Sequence, residues 1–336
     1  MHLFCRALIK LHSQTAGSFN MISRRILRIK ILQLLYAYFQ GADSSLNKFE
    51  KELFFSIQKT YDLYHYLLLL IIDIADYANS RIEIARQKMV PTREDLNPNT
   101  KFVDNAIIRQ LRVNKQLNQY LNTTRLTWVN SPELIKKLHN RIRMTPFFKE
   151  YMEQSERSFD EDKKLIMEVY SSEILNTESI YQTLEEQSIY WNDEVEFVIS
   201  MISKTIKDFK EEDDENFQLM SLFKNEDDKD YARDLFRKSV LHKEEYTKLI
   251  ESYTENWDVD RIAFMDMLIL VMAITEAVVF PSIPTRVTIN EYLEIAKFYS
   301  TEKSSVFING LLDKIFKHLK ESKKIMKTGR GLIGEV

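Results

Sequence analysis

The six glycines of this chain stand at 17, 41, 310, 329, 331 and 334, so none falls between Gly41 and Gly310. Hairpins and tight strand-to-helix loops depend on glycine for positive backbone φ, and Asn, Asp and Ser must make every turn in that interval. Long stretches rich in Leu, Ile, Lys, Glu, Gln and Tyr instead repeat at helical spacing, as in Leu53, Ile57, Tyr61, Tyr64 and Leu68. The chain therefore reads as all-α. With 336 residues and 44% hydrophobic composition it can bury a substantial core, and two helical lobes are expected.

The same map excludes function classes. G-x-x-x-x-G-K-[ST] cannot be written anywhere, and the one G-x-G-x-x-G, Gly329-Arg330-Gly331-Leu332-Ile333-Gly334, follows a helical pattern where the dinucleotide fingerprint needs a strand before it and a helix after it, so nucleotide-dependent catalysis is not expected. The six histidines at 2, 12, 65, 139, 242 and 318 are dispersed, and Cys5 is the single cysteine. No metal site, catalytic residue or cofactor is assigned on that basis. The lone cysteine fits a reducing cytoplasm. The apolar runs Tyr66 to Ile72 and Met267 to Phe280 are shorter than the ~20 residues that cross a bilayer, and Glu276 interrupts the second.

Helical patterns run over 48–88, 104–122, 133–154, 160–187 and 193–210, with Pro91, Pro98, Pro132 and Pro146 marking breaks. Residues 211–230 carry Glu211, Glu212, Asp213, Asp214, Glu215, Glu226, Asp227 and Asp228 and read as a solvated linker between lobes. The expected division is a flexible leader or start-site extension over 1–20, which contains Arg6, Lys10 and His12 but no acid. An N-terminal helical lobe over 21–225, a C-terminal lobe over 226–320 and a flexible basic and glycine-containing tail over 321–336 follow. An internal echo at an offset of 66 relates Ile174-Leu175, Glu178, Leu184-Glu185 and Trp191 to Val240-Leu241, Glu244, Ile250-Glu251 and Trp257; coincident helical periodicity would give the same pattern.

The most specific segment is Pro281 to Ile315. Pro281 and Pro284 cannot continue the preceding apolar helix, so a turn sits there. Thr288 and Glu291 have capping-box spacing, which predicts a helix from near Ile289 with Tyr292, Leu293, Ile295, Ala296 and Tyr299 on its apolar positions. Ser300 or Thr301 then caps a second helix carrying Val306, Ile308, Leu311, Leu312 and Ile315. Gly310 falls inside it at a cost of about 1 kcal/mol relative to alanine, and close approach of a neighbouring backbone is the expected return.

Net charge is −3, so local charge must carry any nucleic-acid signal. Arg24, Arg25 and Arg28 fall within about 100° of helical arc beside an apolar stripe of Leu27, Ile31, Leu34, Leu35 and Tyr38. Residues 101–149 hold ten Lys or Arg against only Asp104 and Glu133, interleaved with Tyr120, Trp128, Phe147 and Phe148. That region either binds single strands through phosphates and stacking or is a lobe with its aromatics buried, the latter being slightly favoured.

The segment Pro284, Val287, Ile289-Asn290-Glu291, Glu294, Ala296-Lys297 and Phe307-Ile308-Asn309-Gly310-Leu311-Leu312-Asp313 resembles the C-terminal signature of the NusB family of transcription antitermination factors. Tyr231-Ala232-Arg233-Asp234-Leu235 and the helix from Asp260 to Phe280 resemble its preceding helices. Ser23-Arg24-Arg25 leading to Gln33-Leu34-Leu35-Tyr36 resembles its basic first helix. The chain departs from the pattern in Leu270-Val271-Met272-Ala273-Ile274-Thr275-Glu276, which lacks a common arginine and tyrosine, and at Lys303, where an acid is common. The resemblance implies a NusB-like all-α core with a large helical insertion over 41–227. It implies binding of a boxA-like ribosomal RNA leader together with ribosomal protein NusE, within the RNA polymerase antitermination complex. Arg24, Arg25, Arg28 and Lys30 are the expected phosphate contacts, Gln33, Tyr299 and Phe307 the expected base contacts, and Asp266 and Glu291 the expected contacts to a basic protein partner. The mechanism so implied is assembly without covalent chemistry, and the association state, homodimer included, stays open. A helical protein-binding adaptor in ribosome assembly is the alternative. An RNA-methylating enzyme is disfavoured, since the family-like block ends about 20 residues before the terminus and no methyl-donor domain follows.

Overall fold

The computed structural model describes residues 21–41, 45–254, 263–301 and 304–334, and every regular element among them is helical. The leader over 1–20, Lys303 and Trp257 of the internal echo lie outside the described residues. Among the described residues no helix is long and apolar enough to cross a membrane. Two compact units divide the chain.

One unit comprises Ile22–Ile57 and the chain from Phe223 onward. It holds α1 (Arg24–Gln40), the start of α2 (Leu46–Arg86), and then, beyond the other unit, α11 (Glu226–Leu241), α12 (Lys243–Ser252), α13 (Phe264–Val279), α14 (Thr285–Tyr299) and α15 (Ser304–Glu321). Helix α13 is buried on all sides from Leu268 to Ala277, as a helix apolar all round must be, and α1, α11, α12, α14 and α15 pack about it. It ends before Pro281 as expected. Lys327 then donates to the carbonyls of Ala277 and Phe280 at 2.7 and 3.0 Å, satisfying groups that the helix end leaves open.

Three expectations for this unit are corrected. Helix α14 begins at Thr285, directly after Pro284, and not near Ile289; the Thr288 hydroxyl donates to Glu276 (2.8 Å) and Glu291 pairs with arginines, so neither builds the capping box. Gly310 is exposed, and a Cβ there would meet nothing within 4 Å, so no backbone approaches it. The close approach belongs to Gly331, where a Cβ would lie 1.9 Å from the Pro281 carbonyl oxygen. Thr328 donates its amide to that same carbonyl at 3.0 Å and Ile325 and Gly331 are buried, so the segment 325–331 docks on the turn at Pro281, where a flexible tail was expected, while most of its side chains stay exposed.

The other unit contains Met21 and Gln58–Leu222. The rest of α2 is followed by α3 (Arg93–Leu96), α4 (Ala106–Val113), α5 (Lys115–Thr124), α6 (Pro132–Met144), α7 (Pro146–Glu153), α8 (Phe159–Glu168), α9 (Glu178–Gln187) and α10 (Val195–Asp208). Asn105 and Asn114 cap α4 and α5, and Thr145 caps α7, whose first residue is proline. Polar caps thus do the work that glycine cannot do here. Between α8 and α9 a π-helical turn over Val169–Ile174 buries Tyr170, whose hydroxyl donates to the Leu67 carbonyl at 2.8 Å.

The aromatics of residues 101–149 mostly face inward. Trp128 stacks on Tyr66 at 3.9 Å and donates to its carbonyl, Phe148 is buried, and Tyr120 stacks on His65 at 3.8 Å while its hydroxyl donates to Asp62. The presumed linker is also corrected. Phe209, Leu219 and Met220 are buried, the Lys115 amide donates to Glu215 O, and the Gln110 side-chain amide donates to Lys210 O and Asp213 O. Residues 209–220 form a strap packed on this unit, and Glu226–Asp228 form the acidic first turn of α11, where the helix dipole favours them.

The unit boundary also departs from the expected division at residue 225. Helix α1 packs with α11 and α13 of the later sequence. Charged side chains hold it there.

Candidate nucleic-acid interface

Helix α1 turns Ile26, Leu27, Ile31, Leu32 and Leu35 inward, as its stripe requires, but it also buries Arg28 and Lys30. Arg28 is 3% exposed and grips Glu276 of α13 through Nε (2.7 Å) and Nη2 (2.9 Å). Glu276, fully buried, also accepts from the hydroxyls of Tyr231, Thr288 and, at 3.4 Å, Tyr292. Burial alone would push this carboxyl up, but the Arg28 charge and the hydrogen bonds from Arg28, Tyr231 and Thr288 outweigh it and hold the group below its ordinary value. Burial, with Glu276 adding to it, pushes the Tyr231 phenol far up, and the same causes act on Tyr292. The pair is ionised, with neutral phenols around it.

A second tier lies nearer the surface. Arg28 Nη1 reaches Glu291 at 3.2 Å, and Arg25 makes a two-pronged contact to Glu291, one prong at 2.8 Å. Arg24 pairs with Asp228 at 3.0 Å and sits 4.8 Å over the Tyr231 ring, with 38% of its side chain exposed.

This geometry sorts the expected site residues. Arg28 is a buried ion-pair partner and is removed from the phosphate-contacting set. Lys30, 6% exposed, donates to the Ser56 carbonyl at 3.3 Å and is removed as well, since a phosphate would have to displace a buried contact. Arg24 and Arg25 stay at the surface, each beside a carboxylate. Asp266 is buried and accepts from the Ser304 hydroxyl at 2.8 Å, tying α13 to the start of α15, so it does not face a partner. Glu291 is committed to Arg25 and Arg28 and is likewise withdrawn from the partner-contacting set.

The outer face of α1 is built from Arg25, Ile29, Gln33 and Tyr36, one helical turn apart. The Gln33 side-chain amide donates to the Tyr299 hydroxyl at 3.0 Å in an exposed contact that joins α1 to α14. Tyr36, 42% exposed, meets Phe264 edge to face at 5.7 Å. Phe307 is half-buried on α15. The structure therefore brings Gln33 and Tyr299 together and adds Tyr36, which the apolar-stripe reading of α1 passed over. Its signal was available: at 100° per residue Tyr36 falls opposite Leu27 and Ile31, on the face that Gln33 occupies. The Val271 and Thr275 stretch of α13, where the family-like pattern departs, is buried and offers nothing at this face.

A helical bundle closed by an ion-pair network between its first helix and its later ones, with an amide and tyrosines along the outer seam, defines an all-α domain interrupted in sequence by a second helical unit. The profile of the NusB family matches residues 193–317. Proteins named "Transcription antitermination protein NusB" are similar: that of Salinibacter ruber is 43% identical over 32% of this chain and 66% of its own length. That of Natranaerobius thermophilus is 39% identical over 28% and 67%, and that of Chloroherpeton thalassium 35% identical over 31% and 50%. The chain belongs to the NusB family. It spans half to two thirds of the length of these relatives, and no solved structure matches it.

Proposed function

We propose that this chain is a transcription antitermination factor that works by binding RNA, selecting a boxA-like ribosomal RNA leader together with ribosomal protein NusE in the RNA polymerase antitermination complex. The observation that carries the reading is the outer seam of α1 and α14, where exposed Gln33 and Tyr36 lie beside half-buried Tyr299, in the unit that holds most of the family-matching residues. An unpaired base can stack on a tyrosine and exchange hydrogen bonds with a side-chain amide, which is how single-stranded RNA is read. Arg24 and Arg25 border that seam and supply cationic groups for the strand's phosphates, their carboxylate partners setting their orientation. No covalent step is required of any residue.

The test is binding of a boxA-like RNA and a scrambled control to the full chain, with and without the ribosomal protein, across a salt series. Gln33→Ala with Tyr36→Ala, both exposed, is expected to remove the preference for the boxA-like RNA by on the order of tenfold or more, at about 1–3 kcal/mol per stacked base. Equal, partner-independent binding of both RNAs by the native chain would refute the reading in favour of a protein-binding adaptor.

A further inference from the structure

We propose that α6, in the unit formed by Gln58–Leu222, is a second RNA contact that takes the sugar-phosphate backbone outside the element selected by α1 and α14. The inference rests on the reading of the chain as RNA-binding, but it concerns a separate surface with a different chemistry.

Helix α6 has the sequence PELIKKLHNRIRM and is strongly two-faced. Leu134, Ile135, Leu138, His139 and Ile142 are buried; Lys136, Lys137, Asn140, Arg141, Arg143 and Met144 are all exposed. At 100° per residue these residues span about 160°, with Asn140 and Met144 along the centre and the exposed Glu133 between them, Lys136 and Arg143 on one edge, and Lys137 and Arg141 on the other. A groove of about 650 Å³ runs along this face, lined by Lys136, Lys137, Asn140, Arg141, Met144 and Thr145 together with the acids Glu133 and Glu173. Two rows of cations thus flank a polar floor.

Acids compensate only part of this charge. Glu133, itself 84% exposed, stands 3.3 Å from Lys136, a pair that solvent screens almost completely. Glu173 takes Arg141 at 3.1 Å. Lys137 and Arg143 have no acidic partner among the described residues. Arg81 of α2, exposed and also without one, adds its field to that of Arg143 at His139. Burial first, and then those two cations, hold the His139 imidazole down at about 4, so it stays neutral beneath the surface and contributes no titrating charge near neutral pH.

The occupant follows from what the face lacks. A protein partner needs an apolar centre to desolvate, and Met144 is the one large apolar side chain exposed on α6. Bases need exposed rings to stack on, yet Trp128 and Phe148 are buried, Tyr120 is stacked on His65 and Phe147 is half-buried on α7. What remains is a face on which Lys136, Lys137, Arg141, Arg143 and the nearby Arg81 outnumber Glu133 and Glu173, a net positive charge that suits a line of phosphates and carries no base selectivity. In the other unit Arg28 is buried and Arg24 and Arg25 share their charge with Asp228 and Glu291, whereas Lys137 and Arg143 of α6 have no acidic partner among the described residues and add a second site of counterion release.

The experiment uses the full chain carrying Lys136→Gln, Lys137→Gln and Arg143→Gln, with two probes: oligouridylate and a short boxA-like RNA. The expected result is a loss of on the order of tenfold in oligouridylate affinity and a salt slope shallower by about 2, since each single-strand phosphate contact contributes about 0.7. Binding of the short boxA-like RNA is expected to be unchanged. Lys136→Arg, Lys137→Arg and Arg143→Lys together must bind oligouridylate as the native chain does, which separates charge from folding. Native affinity and slope in the glutamine variant overturn the proposal, as does equal displacement of oligouridylate by polyglutamate of matched length, the outcome for an acidic protein partner. Failure of the native chain to select boxA would instead refute the selective reading while leaving the oligouridylate comparison interpretable.

Discussion

Arg28→Met isolates the ion pair that closes the family-like unit. The substitution fills similar volume and leaves the Glu276 carboxylate buried with only hydroxyl donors from Tyr231, Thr288 and Tyr292. An uncompensated buried charge costs about 3–5 kcal/mol, which hydrogen exchange of the α13 amides reads directly as a loss of protection. The pH dependence carries a sign. In the native chain Glu276 is held below its ordinary value, so its stabilisation is present above about pH 4.3 and is lost as pH falls through the folded value. Without Arg28, burial dominates and lifts the carboxyl above that value, so protonation relieves the variant and its penalty shrinks from pH 7 towards pH 5. Adding Glu276→Gln keeps an oxygen for Tyr231 and Thr288 and is expected to restore at least about 2 kcal/mol, a coupling that independent sites do not show. This double variant is expected to bind RNA as the native chain does. A penalty under about 1 kcal/mol, or one independent of pH, would refute the buried-pair reasoning; a folded double variant that has lost RNA affinity would return Arg28 to the phosphate contacts.

Two further outcomes are expected. Gly310→Ala meets no neighbour and should stabilise the free chain by about 1 kcal/mol in urea unfolding, whereas destabilisation would mean that a backbone does approach α15. His65, fully buried with Nδ1 on the Tyr61 carbonyl, is held down at about 4 by burial, so the fold should lose about 3 kcal/mol as pH falls from 6.5 to 4; His65→Phe should flatten the urea midpoint across that range, and an unchanged slope would place the titration elsewhere.

The fold class was legible because the glycine map and the helical spacing agreed, and α10 and α13 fall within a few residues of their expected limits. Helix breaks at Pro132 and Pro146 were legible for the same local reason, since proline opens α6 and α7. What the spacing hid was long-range pairing. The arc of Arg24, Arg25 and Arg28 was correct, but an arc does not say which side of it meets protein, and Arg28 turned inward. A carboxylate inside the apolar run from Met267 to Phe280 was the missed signal: Glu276 cannot be buried there without a cation, and Arg28 of α1 is the cation that reaches it. Gly310 and Gly331 exchanged roles because helix position alone does not reveal what approaches a glycine from elsewhere in the chain.

The ion pair also bears on how one helical unit tolerates another inside it. Helix α1 must find α11 and α13 across the whole of Gln58–Leu222, a pairing of high contact order that local propensity does not guide. Within the interrupting unit, the ends of that segment are already tied: the Tyr61 hydroxyl donates to Met220 O at 2.8 Å and the Met21 amide to Ser221 O at 2.8 Å. Once that unit has folded, the chain on either side of it is joined by a short closed path, and the entropy of closure no longer scales with the length of the insertion. A strap that merely linked two lobes would not have this effect, which is why burial of Leu219 and Met220 matters to the family-like unit. Closure brings α1 back but does not choose its register, because Leu27, Ile31 and Leu35 repeat with the helical period and could slip by a turn. Arg28 against Glu276, with Arg24 at Asp228 and Arg25 at Glu291, admits one register, since a slip of one turn would leave a buried carboxylate unpaired at a cost of about 3–5 kcal/mol. That register is also what sets Gln33 beside Tyr299 on the outer seam.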